Sequence, residues 1–349
     1  ARSTGDHLNE VRLLGTLHFY HLRGGEFRAC LKYAERARDI AGTVEDPSVI
    51  ALAQTLMGVT LNFMGDLVGA RTQLEAAIDA GRVSAVNRKT HFGFDHYSWA
   101  GNALIRNLWL QGYPERAKAS IDRVFDEAVR TKHPMALAMV VNSISVLLWL
   151  CDLDAVEEQL DWFVTRAEAD DFGPYLHLGH AFRAELAIRR GDVEAGIQVL
   201  QSRLEKLHAI GYGLMTVRFN VELVSGFALT GRHQDALKLA DETAQLIETQ
   251  GYLSYLPELL RVKGGVLLMM PERPVEDAEL CFTQALGLGH AQNALAWQLR
   301  TATDLASLWV RIGRSNEARE LLRPILEQFT EGTDTADVKA AKRVLSGLN

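Results

Sequence analysis

The chain has 349 residues, 48% hydrophobic and 23% charged, with a net charge of −7. That length allows a large core or an extended repeat stack, while the acidic balance opposes any general attraction to nucleic acid. No apolar run reaches the roughly 18 to 20 residues of a membrane span, and the opening "ARSTGDHLNE" has neither an apolar signal segment nor a Met, so a trimmed chain or a fragment of a longer cytoplasmic protein is expected.

Read in chain order, one pattern recurs: an apolar-periodic helix, a short turn that usually holds Gly, then a second helix with Ala five residues after the Gly. "LMGVTLNFMGDLVGARTQLEAAIDAG" shows it most clearly, with Gly65 at the turn and Ala70, Leu74 and Ala77 following. The turn recurs at Gly25, Gly65, Gly112, Cys151-Asp152, Gly191, Gly231, Pro271–Pro274 and Gly313, at steps of roughly 40 residues with one longer step before Gly112, against a tetratricopeptide period of about 34. The spacing predicts eight helical hairpins over approximately 6–42, 46–81, 94–131, 133–170, 174–210, 212–250, 254–290 and 293–329. Glycine accepts the positive φ that ends a helix. Gly58, Ala70, Ala77, Ala117, Ala236, Ala306 and Ala318 let paired helices approach closely. Pro47, Pro114, Pro134, Pro174, Pro257 and Pro274 fall near helix starts, where a missing N–H is harmless. Pro324 falls inside "EARELLRPILEQF" and should kink or shorten that helix. Val338, Ala341, Leu345 and Leu348 form one apolar stripe, suited to a capping helix over 334–348. No stretch alternates with period two for long enough to suggest a sheet. The expected fold is therefore all-α: a right-handed α-solenoid of about eight tetratricopeptide-like hairpins, a single domain over 1–349.

Three segments at the C-terminal end, "LPELLRVKGGVLL", "WQLRTATDLASLW" and "GRSNEARELLRPILEQFTEGTDTADVKAAKRVL", resemble the C-terminal tetratricopeptide-like region of large bacterial signalling ATPases. "GFDHYSWAGNALIRNLWLQGYP" and "CDLDAVEEQLDWFVTRAE" look most like the group with a winged-helix transcriptional output; others carry an adenylate or guanylate cyclase. Thr333 departs from the pattern, since the family often has an aromatic there. The resemblance implies a regulatory arm separated from its ATPase and output domains. In agreement, the sequence lacks a G-x-x-x-x-G-K-[ST] phosphate loop and a basic recognition helix.

Catalytic signals are missing: there is no G-x-S-x-G, H-E-x-x-H or C-x-x-C. His18 with His21 and His177 with His180 are spaced three apart, but two ligands are too few to hold a metal. Cys30, Cys151 and Cys281 are expected to be reduced, buried thiols. No metal or cofactor is expected. Binding is better supported. The first helix of each hairpin should line a concave wall, and counting back from Gly112 puts Trp99, Asn102, Arg106 and Trp109 on one face. The same register adds Arg12, Glu185, Arg189, Arg218, Glu258, Arg261 and Arg300, six arginines against two glutamates in an acidic protein. Arginine offers a planar fork for carboxylate or phosphate, so the groove should favour an anionic small molecule or an acidic peptide or protein segment. "DWFVTRAE" is expected to pack between repeats, and Tyr175, His177 and His180 to sit near the groove entrance. Asn220 and Glu222 fall on the sixth repeat. The expected function is a non-catalytic sensor acting on an attached ATPase, without contact to membrane or nucleic acid. The alternative is an oligomerising protein-interaction scaffold without a small ligand.

Overall fold

The computed structural model describes residues 6–83, 96–130 and 136–348, with the side chains of 81–83 and of 96 excepted. Among the described residues there are seventeen α-helices and no strand. They pair in sequence as α1 (His7–Gly24) with α2 (Phe27–Ala41), α3 (Pro47–Met64) with α4 (Leu67–Val83), α5 (His96–Leu110) with α6 (Pro114–Arg130), and α7 (Ala136–Leu150) with α8 (Leu153–Ala169). The series continues with α9 (Gly173–Arg189) and α10 (Val193–Ala209), α11 (Thr216–Leu229) and α12 (His233–Gln250), α13 (Leu256–Leu268) and α14 (Val275–Ala291), α15 (Leu295–Arg311) and α16 (Ser315–Leu326), and closes with α17 (Ala336–Ser346). A 3-10 turn, Leu253–Tyr255, precedes α13. The fold is an α-solenoid.

The sequence chemistry explains the layering. Successive odd-numbered helices touch each other, α1 to α3, α3 to α5, α5 to α7, and again from α11 through α17, so they form the inner layer. An inner helix has neighbours on several sides and reads as apolar nearly all round. In α7 twelve of fifteen residues are buried, in "ALAMVVNSISVLLWL". The even-numbered helices show one apolar face. In α6 the buried residues are Pro114, Ala117, Ser120, Ile121, Val124 and Ala128, the three-and-four spacing of an amphipathic helix. Of the described helices, α3 alone is long and apolar enough to pass the test for a membrane span, with a mean hydropathy of 1.3, although two thirds of it is buried inside the protein. It comes closer to that limit than a count of unbroken apolar runs indicated.

The turn and crossing chemistry follows expectation at most positions. Gly65 has φ 92 at the end of α3, and a Cβ at Gly58 would lie 2.7 Å from Leu74. Ala70, Ala77, Ala117, Ala236, Ala306 and Ala318 are fully buried. Pro47, Pro174 and Pro257 occupy the first turns of their helices, whereas Pro134 lies outside the described residues. α16 stops two residues after Pro324. The last helix seats Val338, Ala341 and Leu348 against Leu299, Ala302 and Leu322 of the final hairpin. Cys30 and Cys281 are buried, but Cys151 is exposed. It stands where other repeats use Gly and is held at φ 58. A Cβ disfavours that left-handed region, so Cys151→Gly is expected to stabilise the fold by about 1 kcal/mol, read as a higher urea midpoint.

One feature is invisible in the repeat pattern: the arm folds back on itself. The hairpin turns of the first three repeats abut the linkers of the last four. Arg23 O accepts from Gly213 N (2.8 Å) and Leu214 N (3.0 Å). Arg28 donates twice to Glu248 O, at 3.1 and 2.8 Å. Gly65 lies against Gln292, and Gly112 against Leu295. Glu331 caps the start of α6 by accepting from Glu115 N and Arg116 N, at 2.9 and 3.0 Å, while Glu115 accepts from Gly332 N at 2.8 Å.

Candidate ligand-binding cavity

Because the arm closes, the expected concave wall is divided into three parts. A mostly apolar cavity of about 120 Å³ lies among the first repeats, walled by α1, α3, α5, α7, the start of α9 and the segment before α11. An open, charged cleft of about 400 Å³ lies along α9, α11, α13, α15 and α17. Between them is an aromatic plug. Trp109, Trp149 and Trp297 meet with ring centroids 4.6 to 5.2 Å apart, and Tyr255 packs on Trp297 at 5.8 Å. Phe63 and Tyr252, 5.1 Å apart, continue the cluster toward the cavity, which Phe63 lines.

The residues expected on one wall are distributed over these parts. Trp99 and Asn102 line the cavity. Arg189, Glu258, Arg261 and Arg300 line the cleft. Arg106, Trp109, Glu185 and Arg218 are buried in and around the plug. Arg12 donates to Asn9 Oδ1 at 3.2 Å, away from all of them. His91 and Asp95, the polar residues just ahead of α5 in the sequence, lie outside the described residues.

The expected excess of positive charge is corrected by the ion pairs. Arg218, fully buried, donates Nε to Glu185 Oε2 at 3.1 Å and Nη2 to Glu185 Oε1. Arg189 bridges Glu185 (3.2 Å) and Glu222. Arg261 grips both oxygens of Glu258, at 2.7 and 2.9 Å, and reaches Asp304 at 2.6 Å. Arg300 pairs with Asp337 (3.0 Å) and Glu258 (3.3 Å), donates to Trp149 O, and lies 4.9 Å from the Trp109 ring. Four arginines, Arg189, Arg218, Arg261 and Arg300, thus face five carboxylates, with Glu222, Asp304 and Asp337 joining the two expected glutamates. A face register that looks only at first-helix positions misses Asp337, which belongs to the cap helix.

Arg106 differs from the others. It has no carboxylate partner among the described residues. Its guanidinium donates to Asn62 O (3.2 Å) and Ser254 Oγ (2.9 Å) and lies 4.9 Å from the Phe63 ring and 5.3 Å from that of Tyr252. Burial lowers its proton affinity, partly offset by Tyr252 and Tyr255. A guanidinium nevertheless stays charged in proteins. Ring faces and carbonyl dipoles therefore hold this cation where a salt bridge would be usual.

The two buried glutamates respond oppositely to similar surroundings. Burial raises the carboxyl of Glu185, with Glu222 adding to the rise against the pull of Arg218 and Arg189. Burial also acts to raise Glu258, but Arg261 and Arg300 outweigh it and hold the carboxyl at about 2, below its ordinary 4.5. Stability contributed by Glu258 is therefore present above pH 4.5 and lost as pH falls toward 2. A drop from 4.5 to about 2 corresponds to about 3 kcal/mol. Acid titration of unfolding free energy is expected to show this loss in the native sequence and a flatter limb in Glu258→Gln.

In the cavity, three asparagines step along the inner layer. Asn62 donates to Ala103 O at 2.9 Å, Asn102 to Ala138 O at 3.3 Å, and Asn142 to Asn102 O at 3.4 Å. Each sits within a helix, Asn62 in the last turn of α3 and the other two mid-helix, where Asn is unfavourable without a partner, and each finds one in the neighbouring inner helix. Asn102 Oδ1 is buried and has no partner among the described residues. Asn102 was legible from its face; Asn62 and Asn142 were missed, although they stand forty residues to either side of it, one repeat step away. Tyr175 lines the cavity as expected near an entrance, joined by Phe19, Phe172, Tyr212 and Met215. His18 is buried against Thr60 (2.7 Å) while His21 pairs with Glu26 (2.6 Å), so these two do not converge. Trp309 donates to Glu279 at 2.7 Å, away from the plug, and Asn220 donates to Thr243 at 3.1 Å. Phe163 is buried, with Trp162 packed edge-on to Phe125. No group of three His, Cys, Asp or Glu side chains suited to a metal occurs among the described residues.

Fold and site together describe a helical-repeat protein with a partly open, mostly apolar interior cavity. Comparison with known proteins adds little to this. No family model and no curated protein matches the chain. Among solved structures, the chain is similar to the apo form of RapI, at 12% identity and a TM-score of 0.43 over 97% of this chain and 99% of that one. It is also similar to a Rap protein complexed with competence and sporulation factor, at 11% identity and a TM-score of 0.41 over 97% of this chain and 77% of that one. At these scores neither likeness carries an argument about function, and neither is to a signalling ATPase.

Proposed function

We propose that this chain is a non-catalytic sensor module that binds the end of a peptide, or a small organic ligand of similar chemistry, in its interior cavity. The observation that carries this is the cavity itself: an apolar chamber on the inner layer, bordered by the asparagine row and holding the unpartnered Asn102 oxygen. Amide groups satisfy donors and acceptors of either kind, which suits a peptide backbone. The lining contains no Ser, Cys, His, Lys, Asp or Glu, so it offers no nucleophile and base for turnover. At about 120 Å³ the chamber is smaller than the roughly 300 to 1,000 Å³ of a pocket that encloses a drug-sized ligand. It suits one bulky side chain or ring, with the remainder of the ligand outside.

The binding partner first expected for the arginine wall, an anionic molecule held by several arginines at once, is replaced in this proposal. Four of those side chains, Arg189, Arg218, Arg261 and Arg300, have internal acidic partners, and the cavity takes over as the site. Attachment to an ATPase and an output domain rests on the sequence resemblance alone. The test of the module is native mass spectrometry and calorimetry against a library of short apolar peptides. Binding by the native sequence that is lost in Ala103→Leu, which fills the chamber, supports the proposal. The absence of any binder overturns it.

A scaffold role has one observation in its favour. On α1, Leu13 (61% exposed), Leu17 (44%) and Tyr20 (71%) form an outward apolar stripe at helical spacing. Sedimentation of the native sequence beside Leu17→Glu decides this reading: a dimer that dissociates in the variant supports it, and a monomer in both removes it.

A further inference from the structure

The cavity wall contains a single charged residue, Arg23, in the last turn of α1. Among the described residues no carboxylate pairs with its guanidinium. One nitrogen donates to Ile210 O at 3.2 Å, and Nε is buried with no partner among the described residues. The guanidinium carbon lies 5.9 Å from the Tyr212 ring. Arg189, Arg218, Arg261 and Arg300, by contrast, each have a counter-charge supplied by the fold. Arg23 is partly exposed, so a cation without an acidic partner beside an apolar wall attracts an anion brought next to it at the chamber's solvent edge.

We propose that the cavity selects an apolar carboxylate: a bulky ring or aliphatic group enters the chamber while the carboxylate meets the Arg23 guanidinium. This rests on the cavity being the binding site and names its ligand chemistry. Three observations converge. The chamber volume of about 120 Å³ is near the roughly 150 Å³ that holds a benzene ring in an engineered cavity. Trp99, Phe63, Met139 and Met215 give it an apolar wall. The hydroxyls of Tyr175 and Tyr212 have no hydrogen-bond partner among the described residues, and burial raises both phenols, so they stay protonated and able to donate to an anion. A ligand cation has no counter-charge on this wall.

Arg23 also marks the place where the arm closes. Its backbone oxygen holds Gly213 N and Leu214 N, and Tyr212, Leu214 and Met215 reach the cavity from that same segment. A ligand seated there contacts both halves of the arm and stabilises their closure. The two closure bonds to Gly213 N and Leu214 N use the backbone of Arg23, so replacing its side chain leaves them in place and removes only the Ile210 O bond and the Tyr212 contact from the seam.

The test is calorimetry with N-acetyl-phenylalanine and its neutral amide, on the native sequence, Arg23→Gln and Arg23→Lys, with thermal melts to show that each is folded. The acid is expected to bind at least about tenfold tighter than the amide, as a charge-assisted pair provides. That preference should vanish in Arg23→Gln and partly persist in Arg23→Lys. Equal binding of acid and amide overturns the carboxylate assignment and leaves the cavity as a site. No binding of either, together with no binder in the peptide library, overturns both. Ala-Ala-Phe with a free C-terminus separates the two sources of this chemistry: tighter binding than N-acetyl-phenylalanine assigns a peptide end, and equal binding assigns a free organic acid.

Discussion

Glu185→Leu is expected to lower the unfolding free energy by about 3–5 kcal/mol, the usual result of removing one partner from a buried ion pair. Glu185 is fully buried and accepts from both Arg218 and Arg189. Without it the Arg218 guanidinium, also fully buried, keeps only its ring contacts, at 5.1 Å to Trp149 and 5.7 Å to Phe182. Its Nη1 already has no partner among the described residues. The loss should therefore come mainly from a stranded cation. The double variant Glu185→Leu/Arg218→Met is expected to recover most of it, because two apolar side chains of similar volume replace the pair. Urea denaturation of the four proteins in this cycle provides the measurement. A double variant no more stable than Glu185→Leu would show that the pair contributes far more than the charge it neutralises. Arg189 retains Glu222 and Leu148 O in all of these variants, which confines the effect to Arg218.

Gly213→Ala should open the seam between the two halves of the arm. A Cβ at this position would fall inside contact distance of the Gly24 carbonyl oxygen and 2.9 Å from the Gly24 carbonyl carbon. Backbone cannot rotate away as a flexible side chain can, so the two segments must part. With them go the hydrogen bonds from Gly213 N and Leu214 N to Arg23 O, each contributing about 1 kcal/mol, together with packing along the seam. The expected cost is roughly 2–4 kcal/mol, accompanied by a larger radius of gyration in small-angle scattering. Gly265→Ala is the control, since a Cβ there meets nothing within 4 Å. An unchanged radius in a destabilised Gly213→Ala would mean that the strain is absorbed locally and that the remaining contacts, from Arg28 to Glu248 and from Glu331 to α6, keep the arm closed.

The positions readable in the sequence and those that were not differ by how far their partners lie along the chain. Trp99, Asn102, Arg106 and Trp109 were placed on one helical face from spacing alone, and all four point inward. What that face meets could not be read. Arg106 reaches Ser254, 148 residues away, and Arg300 reaches Trp149 O, 151 residues away. The acids that neutralise Arg261 and Arg300 are Asp304 and Asp337. Asp337 belongs to the capping helix, whose placement on α15 is itself a tertiary result. The asparagine row was within reach of the forty-residue step, but its members were judged one repeat at a time.

The sequence alone determined the helices, their pairing and their layering. A helix records its own burial in the three-and-four spacing of apolar residues, and a turn records its left-handed φ in a glycine. Both are local, and both repeat down the chain. Tertiary structure alone decided that the arm closes, that the expected groove is split into cavity, plug and cleft, and that most of its arginines have internal partners. Closure depends on a small rotation at each hairpin accumulating over five or six repeats until Arg23 meets Gly213. No single repeat encodes that sum.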